Sequence, residues 1–155
     1  MAFFQFKTQM QFNNSLEEIW EFISDPKNLQ EITPEYMQFR ILNDPLPEKM
    51  YPGMIIKYSV KPIFKIPTTW VTEITQVRDK EYFVDEQRVG PYTMWHHQHI
   101  LQKRKDGVLM NDIVSYKPPF GIIGALSQKL FIRSKIEEIF EFRNMAFAKR
   151  FNVVA

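Results

Sequence analysis

Apolar and polar residues alternate from Phe4 to Phe12. Phe4, Phe6, Met10 and Phe12 fall on one side and Gln5, Lys7, Gln9 and Gln11 on the other, as in a strand with one buried face. Asn13-Asn14 ends that strand. Ser15 followed by Glu18 has capping-box spacing, and Leu16, Ile19, Trp20 and Ile23 recur at helical intervals until Asp25-Pro26 stops the helix. Asp25, with Pro26 at the next position, opens a second short helix.

Beyond Ile32-Thr33-Pro34, extended segments are expected at about 36–42, 54–61, 67–77, 81–88, 92–103 and 107–117. Asp44-Pro45, Pro52-Gly53, Arg78-Asp79-Lys80, Gly90-Pro91 and Lys105-Asp106-Gly107 supply the turns between them. From Phe120 to about Phe151 nothing after Gly124 breaks a helix, and Ile132, Ile136, Ile139, Phe140, Phe147 and Phe151 form a broad apolar stripe. The order predicts an α+β fold: a curved seven-stranded antiparallel sheet, two short helices, and a long C-terminal helix across one face. One helix over a strongly curved sheet leaves space unfilled, so a cavity between them is expected.

All three histidines lie in one expected strand. Strand geometry puts Trp95, His97, His99 and Leu101 on one face and Met94, His96, Gln98 and Ile100 on the other. Imidazole hydrogen-bonds, takes protons and binds metal near neutral pH, so His97 and His99 on a partly buried face mark the first place to look for chemistry. His96 reads as a surface residue.

Composition narrows the classes. The 155 residues, 45% hydrophobic with 14 Phe, fit one domain spanning 1–155 with a substantial core. Twenty Lys+Arg against 18 Asp+Glu leave a formal charge of +2, too small and dispersed for a phosphate-backbone footprint, so no nucleic-acid partner is expected. Zero cysteines exclude disulfides, thiolate metal sites and a Cys nucleophile. The N-terminal residues lack a basic segment followed by an apolar one, and no apolar run of about 18 residues occurs. A soluble cytoplasmic protein is the expectation. Internal repeats and low-complexity segments are not evident.

Particular residues carry a resemblance: Ile32-Thr33-Pro34, Pro67 with Trp70, Phe83-Val84-Asp85-Glu86-Gln87, Gly90-Pro91-Tyr92, Trp95 with His97 and His99, Asp112 with Tyr116 and Pro118-Pro119, and Phe140 with Arg143. With the element order, these resemble the helix-grip fold of the START-like (SRPBCC) superfamily, which includes lipid-transfer domains, pollen-allergen-type proteins and polyketide cyclase/dehydrases. The chain is most similar to a branch of bacterial members without assigned function. The resemblance covers nearly the whole chain and implies a ligand cavity, but no particular activity. Where that branch tends to place arginines between Trp95, His97 and His99, this chain has His96 and Gln98.

Period two then projects the cavity wall. An inward Trp70 takes Thr72 and Ile74 with it, and an inward Phe83 takes Asp85 and Gln87. The histidine strand offers Trp95, His97 and His99, and the last strand Asp112, Val114 and Tyr116. On the C-terminal helix, Arg143 lies three residues after Phe140 and four before Phe147, inside the apolar stripe. A buried guanidinium needs acceptors, and Asp85 and Asp112 are the expected ones. Arg143, Asp85, Asp112, His97 and His99 should form a polar cluster in an otherwise aromatic cavity.

Several functions fit this pattern. In the first, a small hydrophobic or amphipathic molecule is bound or transported, with Trp70, Thr72, Phe83, Asp85, Gln87, Trp95, His97, His99, Asp112, Tyr116 and Arg143 as binding residues. In the second, a cyclase/dehydratase-type enzyme uses His97 or His99, with Asp85, as acid or base, without a cofactor. In the third, a regulatory protein without a ligand has its cavity filled by side chains and binds a partner through apolar loops; the polar groups can also serve only to tie the helix to the sheet. Ile63-Phe64 between lysines is suited to peripheral membrane contact or to gating the cavity, and Pro118 to Gly124 to a lid or a plain helix start. His97-x-His99 has the spacing of a two-histidine metal site that Asp85 or Asp112 would complete, but nothing fixes the third ligand, so no metal is assigned.

Overall fold

The computed structural model describes residues 3–43, 45–61, 66–119 and 131–154. Seven antiparallel strands form one sheet: β1 (Phe4–Phe12), β2 (Arg40–Ile41), β3 (Met54–Val60), β4 (Thr68–Arg78), β5 (Tyr82–Val89), β6 (Met94–Arg104) and β7 (Gly107–Lys117). Their order is β1-β7-β6-β5-β4-β3-β2, a meander whose first strand pairs with its last. The helices are α1 (Leu16–Ile23) and α2 (Arg133–Arg150), with 3₁₀ turns at Pro26–Gln30 and Glu35–Met37. Among the described residues no helix is long and apolar enough to cross a membrane.

Local chemistry sets the boundaries. Glu18 N–H donates to Ser15 Oγ at 3.2 Å and Ser15 N–H to Glu18 Oε2 at 2.9 Å, so the capping box starts α1. Gly107 sits at φ +128, and a Cβ there would meet the Phe12 carbonyl oxygen at 1.8 Å. The tight β6–β7 turn against the end of β1 therefore requires glycine.

The strand expected at 36–42 is only Arg40–Ile41. Pro34 leads into the Glu35–Met37 turn, and Gln38 follows in the left-handed region at φ 46. Met37 is buried by that turn against Val60 and Trp70, and its carbonyl accepts from Lys61 N–H at 2.7 Å. The C-terminal helix is described from its 131–132 lead-in onward, and residues 120–130 lie outside the described residues, as does the Ile63-Phe64 tip.

Packing differs along α2. Its buried residues are Ile136, Phe140, Arg143 and Phe147, a stripe with helical spacing. Phe147 meets Phe12 and Phe22 edge-on, with centroids 5.6 and 5.8 Å away, in a core that α1 closes with Ile19, Trp20, Phe22 and Ile23. Toward the N-terminal end of the described helix, Phe140 and Ile136 face a part of the sheet where a cavity remains.

Candidate functional site

Cross-strand register assembles the polar cluster. His97 lies opposite Asp85 on β5, and His99 opposite Asp112 on β7. Both imidazoles face inward and are nearly sealed, as is Asp112. Their rings lie side by side with centroids 3.7 Å apart, and Phe83 stacks on His99 at 4.0 Å.

The bonds run diagonally between strands. His97 Nε2–H donates to Asp112 Oδ1 at 2.9 Å, and His99 Nε2–H donates to Asp85 Oδ2 at 2.8 Å. These tautomers are assigned from the partners. From α2, Arg143 Nη2–H donates to His99 Nδ1 at 3.2 Å and stands 3.6 Å from Asp112 Oδ1. The Arg143 guanidinium also lies over the Phe140 and Phe147 rings, 5.6 and 5.4 Å from their centroids.

Burial and charge act in opposite senses here. Burial alone raises Asp112, but the Arg143 guanidinium and the bond from His97 hold its carboxyl well below the usual range. Asp85 is likewise raised by burial and pulled net below its usual value by the imidazoles and Arg143. Burial and the neighbouring His99 push His97 down to about 4, against the pull of both aspartates, so His97 is neutral at pH 7. Its Nδ1 lone pair lies 3.4 Å from Asp85 Oδ2.

The cluster forms one wall of a cavity of about 160 Å³. Trp70, Thr72, Phe83, Asp85, Trp95, His97, His99 and Arg143 line it as projected. Gln87, Asp112 and Tyr116 stand off the lining. Gln87 holds the β5–β6 turn instead, donating from Nε2 to the Tyr92 carbonyl at 2.6 Å and accepting Tyr92 N–H at 3.2 Å. Asp112 lies behind the two imidazoles and accepts from His97, and Tyr116 packs behind Tyr92 and Trp95, with centroids 5.9 and 6.1 Å away. Arg143 finds Asp112, while its direct contact with Asp85 is replaced by His99.

The projection misses other wall residues. Tyr58 lies opposite Trp70 in the β3–β4 register and stacks on it at 6.0 Å, while its hydroxyl bonds Thr72 Oγ1 at 3.1 Å. Period two along β3 from Ile56 would have found it. Tyr92, in the Gly90-Pro91 turn, packs on Trp70 and Trp95, and no periodicity reaches a turn residue. Among the described residues Trp70 Nε1 and Arg143 Nε find no hydrogen-bond partner, so two buried donors remain beside the cavity. His96, on the outer face, bonds Glu86 Oε1 at 2.9 Å.

No protein-family model and no curated protein matches the sequence. Solved structures match over almost the full chain. Ginseng major latex-like protein 151 from Panax ginseng superposes with TM-score 0.71 at 9% identity, covering 97% of this chain and 99% of its own. Protein Ms6760 from Mycobacterium smegmatis gives TM-score 0.65 at 11% identity, over 94% and 92% of the two chains. TTHA0849 from Thermus thermophilus gives 0.64 at 12% identity, over 96% of each. At such identities the likeness speaks for the fold alone, and with the seven-stranded meander and the long C-terminal helix across it, that fold is the helix-grip fold.

Proposed function

We propose that the protein binds a small amphipathic molecule, its apolar body against the aromatic walls and its polar group against Asp85, His97, His99 and Arg143. The observation that carries this reading is an apolar cavity with buried ionisable side chains converging on one wall. Size restricts the guest. A volume of 160 Å³ holds about five waters or one single-ring molecule, so a long acyl chain does not fit without movement of the walls. In a cytoplasmic setting, such a guest would be a small metabolite rather than a membrane lipid.

Native mass spectrometry with organic extraction tests this directly. A stoichiometric small molecule released on denaturation supports the reading and names its class. Trp70 and Trp95 both line the cavity, so single-ring amphiphiles should also quench tryptophan fluorescence saturably. An empty mass together with no saturable quenching across a panel of such compounds would sink it.

One observation favours acid/base chemistry as a second reading. His97 gives its Nε2–H to Asp112 and keeps the Nδ1 lone pair beside the cavity, which is how a positioned general base is held. Turnover by such an enzyme should disappear in His97→Gln. Turnover unchanged in that variant would exclude His97 as the base.

A further inference from the structure

Two carboxylates, the half-buried Asp85 and the buried Asp112, face one guanidinium, Arg143, so the cluster is one positive charge short of neutrality. A bound cation would supply that charge, and the geometry can hold one. Asp85 Oδ2 stands 2.8 Å from His99 Nε2 and 3.4 Å from His97 Nδ1, and one ligand atom from each residue lies within 4.8 Å of the others. Around an ion with bonds of about 2.1 Å, neighbouring ligand atoms are about 3.0 Å apart in octahedral and about 3.4 Å apart in tetrahedral geometry. The two spacings to Asp85 Oδ2 lie within a few tenths of an ångström of those.

We propose that Asp85, His97 and His99 bind a divalent first-row transition ion whose open positions face the cavity. Two imidazoles and one carboxylate on a single face suit such an ion better than Mg²⁺ or Ca²⁺, which take oxygen ligands. The outer contacts are built for it. Asp112 Oδ1 lies 2.9 Å from His97 Nε2 and 2.9 Å from His99 Nδ1, the far nitrogen of each ring, so one buried carboxylate backs both ligands. When His99 Nε2 ligates, its proton moves to Nδ1 and toward Asp112, and Arg143 turns to the same carboxylate, 3.6 Å away. With the ion in place the cluster carries one net positive charge, which an anionic oxygen of the cavity guest would neutralise. The site deepens the binding reading and rests on the same cavity wall, but its test does not use the guest.

Tag-free protein stripped with a chelator is titrated with Co²⁺, followed by visible d–d absorption and calorimetry, with Zn²⁺ as competitor. One Co²⁺ per chain is expected, displaced by Zn²⁺. Asp85→Asn should weaken it by more than about 100-fold, beyond the loss typical of an outer-contact residue. His96→Gln, on the outer face, should leave it unchanged. Absence of saturable 1:1 uptake of both ions, or equal affinity in Asp85→Asn, overturns the proposal. Should Asp85→Asn fail to fold by circular dichroism, ring-nitrogen NMR of the wild-type protein decides: Zn²⁺ must shift His97 and His99, and a shift of His96 alone overturns the site. Tryptophan quenching by the guest, read on the stripped protein, reports separately on the cavity.

Discussion

Along α2 the same buried stripe serves two unlike regions. Around Phe147 the space beneath the helix is filled by Phe12, Phe22 and Phe151, because α1 covers the sheet there. Four to seven residues earlier, Arg143 and Phe140 overhang a cavity walled by the histidine strand. The filled end has no titrating group on its stripe residue, and the open end concentrates four acid/base side chains and a guanidinium. Stability should therefore reside mainly in the first region, and pH sensitivity and ligand chemistry in the second. The largest effect should come from Phe147→Ala. Removing a fully buried ring from a closed core costs about 4 kcal/mol, read as a lower urea midpoint at unchanged slope. A loss below about 1 kcal/mol would show that the filled end is loosely packed and erase the contrast.

Next is the response of the open end to acid. His97 has a folded-state value of about 4 against an ordinary 6.5, so as pH falls the unfolded chain takes up the proton first. Its contribution is complete above about pH 6.5 and is lost on the way down to about pH 4, amounting to about 3 kcal/mol. Asp85 and Asp112, both held below their usual range, extend the loss in the same direction at still lower pH. Urea midpoints of chelated protein should decline across that window, and His97→Gln should flatten its upper part. A midpoint level between about pH 7 and 5 would contradict a neutral, buried His97.

Much of this contrast was legible in the chain. The alternation from Trp95 to Leu101 put His97 and His99 on one face, and the three-and-four spacing of Phe140, Arg143 and Phe147 put a guanidinium on the helix stripe above them. Register was not legible. The β4–β5 ladder shifts between Val71 and Thr72 and again between Ile74 and Gln76, and Gln87, two positions along β5 from Asp85, lies by the Tyr92 turn instead of on the cavity wall. Depth was hidden too, since period two gives Asp112 the inward face without revealing that two imidazoles would cover it. The strand expected at 36–42 gave way to a turn because Pro34 and the left-handed Gln38 set local geometry that alternation does not encode.

Adding volume sharpens the comparison further. Val108 is fully buried in the filled core, and Val60, equally sealed from solvent, lines the cavity. Val108→Leu should cost about 2 kcal/mol by overpacking, whereas Val60→Leu has room for its extra methylene and should cost well under about 1 kcal/mol. The same variant should weaken single-ring guests. Equal penalties at the two positions would mean that the cavity walls are as tightly supported as the core.

The smallest effect probes how wet the open end is. Tyr58 is half-buried, and its hydroxyl is paired with Thr72 Oγ1 at 3.1 Å on the cavity wall. Tyr58→Phe keeps the ring stacked on Trp70 and deletes only that bond, which leaves Thr72 without its partner. In a dry cavity the orphaned hydroxyl costs about 1 kcal/mol or more, because nothing replaces the lost bond. In a cavity that admits water, a solvent molecule takes the place of the Tyr58 hydroxyl and the penalty falls toward zero. Denaturation of the variant therefore reads the hydration of the cavity, and a guest that displaces such water would restore the difference between Tyr58 and Phe at that position.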